Sequence, residues 1–244
     1  MRFRSNNPVF RKALSGEHVY EGASATYKGV AGKVIFYILM TLVGAFGGLF
    51  LMVSNEALFG ALLTVSLLTT FIFSIIALVS VRLAKVFGSL YCLAIGMVVG
   101  VVSLAFETLA PGSVMIAILA TIVVLAVVAT LFLTNIVKVN GRFMKFLFTF
   151  SISILVTMLL LWILSATVYR DAAFNFRNNI IISLIMVFLA TLYLLFDLEH
   201  IRQVVEGGAP KIMEWYVAFG LVFTIIWLYF EILPIIARIL ARDN

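Results

Sequence analysis

Seven long apolar runs, separated by short polar stretches, divide this chain. They occupy residues 34–53, 58–81, 87–106, 113–134, 146–168, 179–196 and 215–237. Each is close to the ~20 residues that a helix needs to cross the hydrocarbon core of a bilayer. Backbone amides and carbonyls find no partner in lipid, so a spanning segment must be a helix or part of a closed barrel. Barrel strands alternate polar and apolar residues with period two, and these runs do not. The expected fold is an all-α integral membrane protein with seven transmembrane helices.

Composition agrees. The 244 residues are 64% hydrophobic and 11% charged, against about 45–50% apolar and about 25% charged in soluble domains. A bilayer, not a large interior core, must cover that surface. Cys92 is the single cysteine and lies inside an apolar run, which excludes a disulfide framework and a Cys-based metal site. It is expected to be a small packed side chain. The net charge of +6 does not point to nucleic acid, because the basic residues are scattered over the polar connections.

Their distribution sets the orientation. Arg2, Arg4, Arg11, Lys12, Lys28 and Lys33 precede or open the first run, and Arg82 and Lys85 follow the second. Lys138, Arg142 and Lys145 follow the fourth, and Arg202 and Lys211 follow the sixth. The opposite side has only Arg170, Arg177, Arg238 and Arg242. The positive-inside rule then places the N-terminus in the cytosol and the C-terminus outside. Residues 1–32 read as a cytosolic tail, 33–240 as the seven-helix domain and 241–244 as a short C-terminal tail. The tail is too long and too charged to open a signal peptide. Gly44 with Gly48, and Gly96 with Gly100, are small-xxx-small pairs that let helices approach closely.

Enzyme signatures are missing: there is no P-loop, HExxH, GxSxG or GxGxxG pattern. His18 and His200 lack His or Cys partners, and His200 is expected at the membrane interface with its ring partly solvated. Neither a Ser–His pair nor a GxGD-like acid suggests an intramembrane protease. We expect no catalysis and no cofactor.

A charged side chain at mid-membrane costs about 2.5–3.5 kcal/mol on insertion scales, so such residues pair, face water or conduct. Glu107 is expected to face outer water and Asp171 to lie in a loop. Lys85, Glu199, Arg202 and Glu206 read as solvated interface charges. Glu231 is different, because it sits deep in the last run within WLYFEILPII. Two readings stay open for it: a protonated carboxyl bonded inside the bundle, or a proton or cation site. Pro234 frees the carbonyl of Phe230 beside it. Carbonyl and carboxylate oxygens are the ligands that Ca²⁺ prefers.

Asp197, in LYLLFDLEHIRQ, could simply mark the cytosolic end of the sixth run. Beside Glu231 it would mean more, since two carboxyls in a low dielectric cannot both ionise cheaply. Arg82, ending the second run, lies on the right side to stabilise the ionised form. Such a set would make a pH switch. A last helix entering at Trp215 carries Glu231 about 24 Å inward at 1.5 Å per residue. The acids then meet only if that helix begins below the surface, if the sixth helix continues past Asp197, or if the connection folds back.

At these residues the chain resembles the transmembrane Bax-inhibitor-motif, or Bax inhibitor-1, family in its bacterial branch. LLFDLEHIR around Asp197 and GAPKIMEWYVAFGLVFTIIWLYFEIL leading to Glu231 carry the likeness, and NNPVF in the tail adds to it. The resemblance implies seven spans with the last helix central in the bundle. It implies a pH-sensitive Ca²⁺ leak across a bacterial inner membrane, with Asp197 and Glu231 as pH sensor, latch and candidate Ca²⁺ ligands. Arg82 matches the arginine held to pair with the acids. Glu231 stands where the family's better-studied members have aspartate, and the connection RQVVEGGAPKIMEW is longer here. Two other functions are compatible: a non-transporting regulator that binds a membrane protease or other membrane partners, and a proton-coupled cation exchanger.

Overall fold

A computed structural model describes residues 23–54, 56–167 and 180–243 of the chain. The NNPVF tail, His18, Arg170, Asp171 and Arg177 lie outside the described residues.

Among the described residues are seven helices, each long and apolar enough to cross a membrane. They are α1 (Tyr27–Ser54), α2 (Glu56–Val79), α3 (Ala84–Leu109), α4 (Ser113–Leu133), α5 (Gly141–Thr167), α6 (Ile180–Glu206) and α7 (Met213–Asp243). Large apolar side chains point outward all round the bundle, Phe50 72%, Phe71 71% and Trp162 67% exposed among them. Water would not tolerate so continuous an apolar surface. The chain is an all-α, multi-pass membrane protein.

Several helices overrun the apolar runs, most of all at the end of α6. Hydropathy falls at Asp197, but Ile201 and Val204 keep the helical spacing of buried residues for two more turns. The stop is set by Gly207 and Gly208. Gly208 takes the left-handed conformation (φ +65°) and the Ala209 amide donates back to the Val204 carbonyl at 3.1 Å, a glycine C-cap. Asp197 therefore lies inside a helix and not at its end. At the other end of the chain, α1 starts at Tyr27, within the segment read as tail. Thr26 caps it, its Oγ1 accepting from the Gly29 amide at 3.0 Å.

Helix α7 is the hub, packing against α1, α2, α3, α4 and α6. In its most apolar window 56% of residues are buried, against 6% in α5. The last helix is thus central, and α5 is a peripheral helix leaning on α6.

The most extensive pairing joins α1 to α3, and the two small-residue motifs meet there. Gly44 packs on the Leu93 carbonyl and the Cα of Gly96, Gly96 on the Thr41 carbonyl, and Gly100 on Ala45. Nearby, Cys92 is fully buried. The Tyr37 hydroxyl donates to the Ala84 carbonyl at 2.7 Å, tying the start of α3 to the same seam.

Candidate functional site

Among the described residues, the acids Asp197, Glu214 and Glu231 each form the centre of a polar site. The first is Asp197 on α6, which is 8% exposed. It looks across the α6–α7 hairpin at Gly220, whose missing side chain leaves room for it: a Cβ there would lie 3.5 Å from Oδ1. The Thr224 hydroxyl, one turn further, also faces it. The Thr224 hydroxyl in turn donates to the Gly220 carbonyl at 3.2 Å. Asp197 Oδ2 has no hydrogen-bond partner among the described residues. A buried carboxyl oxygen left without a partner is unfavourable, so this position is under strain that a packed apolar residue would relieve.

The second site is at the end of the bundle where α1 begins and α6 ends. Residues 23–26 dock on the α6–α7 connection through an antiparallel bridge of Ser24 with Pro210. The Ala25 amide donates to the Ala209 carbonyl at 2.8 Å, and the Lys211 amide to the Ala23 carbonyl at 3.1 Å. Glu214, in the first turn of α7, is fully buried beneath this strap. It forms an ion pair with Lys33 and accepts from the Thr26 amide at 2.8 Å. A Cβ at Gly29 would displace the Glu214 carboxylate. Beside the pair, Trp215 has the ammoniums of Lys33 and Lys85 each 5.2 Å from its ring centroid, a cation–π arrangement.

The third site surrounds Glu231. Trp227 Nε1 donates to its Oε1 at 3.0 Å. With Pro234 and Arg238 of α7, Ser183 of α6 and Met158 of α5, Glu231 lines a cavity of about 30 Å³.

This geometry separates the two acids expected to pair. Asp197 faces Gly220 and Thr224, while Ser183 meets Arg238. Because α6 and α7 are antiparallel, Glu231 lies level with Met186, which lines the same cavity. Glu231 is seven to eleven residues beyond the partners of Asp197, or about 10–16 Å along the axis at 1.5 Å per residue. The two carboxyls are consequently not adjacent. No grouping of three or more His, Cys, Asp or Glu that could hold a metal occurs among the described residues. Arg82 is exposed in the turn between α2 and α3. The ion pairs among the described residues are Lys33–Glu214 and Arg202–Glu199, so Arg82 latches neither acid.

The profile of the family described as Bax inhibitor 1 like matches residues 7–241, nearly the whole chain. The chain belongs to that family. A comparison with curated protein sequences finds no significant match.

Within this Bax inhibitor 1 like protein, several polar residues differ from their sequence expectations. Glu199 is buried at 7% exposure, ion-paired with Arg202 and accepting from the Gln203 amide group. The continuation of α6 turns it inward. His200 is half-buried, its ring 6.0 Å from that of Phe196 and 5.9 Å from that of Tyr216. Glu206 accepts from the Tyr27 hydroxyl. Glu107 does more than face water, since its two oxygens accept from the Gly112 and Val114 amides at 2.7 and 3.0 Å. It thereby caps α4, whose N-cap Gly112 cannot do so with a side chain. Glu107→Ala should deprotect the Gly112 and Val114 amides in hydrogen exchange while leaving amides in α7 unchanged.

Glu214 and Arg238 were missed as site residues. An acid in the first turn of a helix is a mild signal, but the partner of Glu214 is 181 residues away in sequence. Arg238 read as an outer charge, and only the rotation of α7 turns it onto the face of Glu231.

Proposed function

We propose that this protein is a pH-sensitive Ca²⁺ leak of a bacterial inner membrane, with its N-terminus in the cytosol, and that protonation of Asp197 sets its gate. The observation that carries this reading is the buried, half-satisfied Asp197 carboxyl set against Gly220 of the central helix. Family membership supports it. Orientation rests on the basic residues gathered at the end where α1 begins. The protein acts without catalysis, and Ca²⁺ is cargo.

Protonated, Asp197 can donate to the Thr224 hydroxyl, which itself donates to the Gly220 carbonyl, and α6 and α7 stay closed. Ionised, the carboxylate has only the neutral Thr224 hydroxyl beside it and draws in water or a cation. The leak should therefore grow as pH rises through the range in which Asp197 loses its proton. The test is Ca²⁺ flux into proteoliposomes of the parent and of Asp197→Asn, on either side of neutrality. Asparagine keeps a donor for Thr224 and cannot ionise, so its flux should be low and flat. Equal flux from both proteins at every pH would sink the gating role. Absence of flux from the parent would favour the non-transporting regulator, and flux that saturates and requires a proton gradient would favour the exchanger.

A further inference from the structure

The outer half of α7 carries a polar site that this gating reading does not use. Glu231 and Arg238 are seven residues apart, two helical turns, and therefore share a face. That face looks at Ser183 and Met186 of α6 and at Met158 of α5, and residues of the three helices line the cavity of about 30 Å³. Arg238 Nη1 donates to Ser183 Oγ at 3.2 Å. A guanidinium has five N–H donors in all. Glu231 and Arg238 both line the cavity but make no direct ion pair with each other.

Size and chemistry fit one ligand. A water needs a cavity of more than about 10–15 Å³ and two to four polar partners. Here a carboxylate, a guanidinium and a hydroxyl converge on it. The remaining lining (Met158, Ile182, Met186 and Pro234) is apolar and would not hold a larger polar solute.

We propose that this cavity is a water-binding site in which one ordered water bridges the Glu231 carboxylate to the Arg238 guanidinium, with Arg238 supplying the countercharge of Glu231. The acid that sequence reading joins to Asp197 then belongs to an independent site. That site fastens α5, α6 and α7 at the end of the bundle opposite Glu214. Such a bridge costs little relative to a direct hydrogen bond. It also explains how an arginine and a glutamate persist in an apolar stretch.

Thermal unfolding in detergent micelles tests it. Glu231→Gln and Arg238→Gln should each lower the midpoint by about 2–4 °C. The double variant should lose no more than the worse single one, because either change alone removes the bridge. Asp197→Asn combined with Arg238→Gln should give additive shifts. Additive loss in the first pair, or non-additive loss in the second, overturns the proposal. Should the glutamine variants not fold, Glu231→Asp and Arg238→Lys serve in the same cycle. An experimental structure that resolves waters should show one within hydrogen-bond distance of both Glu231 and Arg238. An apolar lipid tail or a direct Glu231–Arg238 contact there would refute the bridge.

Discussion

Glu214→Ala should lower the thermal midpoint by about 6–12 °C, corresponding to about 3 kcal/mol at about 2–4 °C per kcal/mol for a chain of this size. The side chain is fully buried, and Lys33 retains only 13% exposure. Removing the acid strands that ammonium and also leaves the Thr26 amide without its acceptor. Breaking a buried pair costs about 3–5 kcal/mol. We take the low end because the pair lies at the end of the bundle, where water one layer away screens it. Lys33 also keeps its place over the Trp215 ring. Loss should be largest in hydrogen-exchange protection at residues 23–30 and 207–214, where the strap joins the α6–α7 connection. Glu214→Met with Lys33→Met should regain part of the midpoint, since apolar replacement removes both charges together. A Glu214→Ala shift under about 1 °C would mean that the strap contributes nothing to stability.

Gly96→Val should be comparably damaging for a different reason. A Cβ at this position falls inside contact distance of the Thr41 carbonyl oxygen and lies 3.0 Å from the Cα of Gly44. Both are backbone atoms, so no side chain can swing away. α1 and α3 must separate along their whole seam, including the neighbouring Gly100–Ala45 contact. Overpacking typically costs about 1–3 kcal/mol and occasionally more; separating two long helices belongs at the upper end, a fall of about 6–12 °C. Gly47→Val is the internal control, because its Cβ would meet nothing within 4 Å. Gly47→Val should leave the midpoint within about 2 °C of the parent, as surface substitutions usually do. If the two valine variants melt alike in detergent, the seam is not tightly packed.

Much of the fold was legible in the sequence. Seven runs of spanning length become seven helices, because a bilayer leaves the backbone no other satisfied conformation. The glycines of the first and third runs were readable as close-approach positions, and the structure shows that they serve each other. Helix ends were less legible. The drop in hydropathy at Asp197 suggested an end to the sixth helix, while the Gly207–Gly208 pair marked the true stop. A polar sequence with Ile201 and Val204 at helical spacing can leave the membrane without leaving the helix.

The site divided the same way. Asp197 and Glu231 stood out because acids in apolar runs are costly, a property of the sequence alone. Their partners did not stand out. Asp197 meets Gly220 and Thr224, Glu231 lines a cavity with Arg238, and Glu214 meets Lys33 from the far end of the chain. Sequence by itself determined that this is a polytopic membrane protein, how many times it crosses and which charges demand an explanation. Only the tertiary structure decided which charges meet. Lipid tails and a protein interior are about equally apolar, so hydropathy fixes how deep a helix lies but neither its rotation nor its register against its neighbours. Those two quantities follow from side-chain packing, and they place about 10–16 Å of α7 between two acids that the family resemblance would have put side by side.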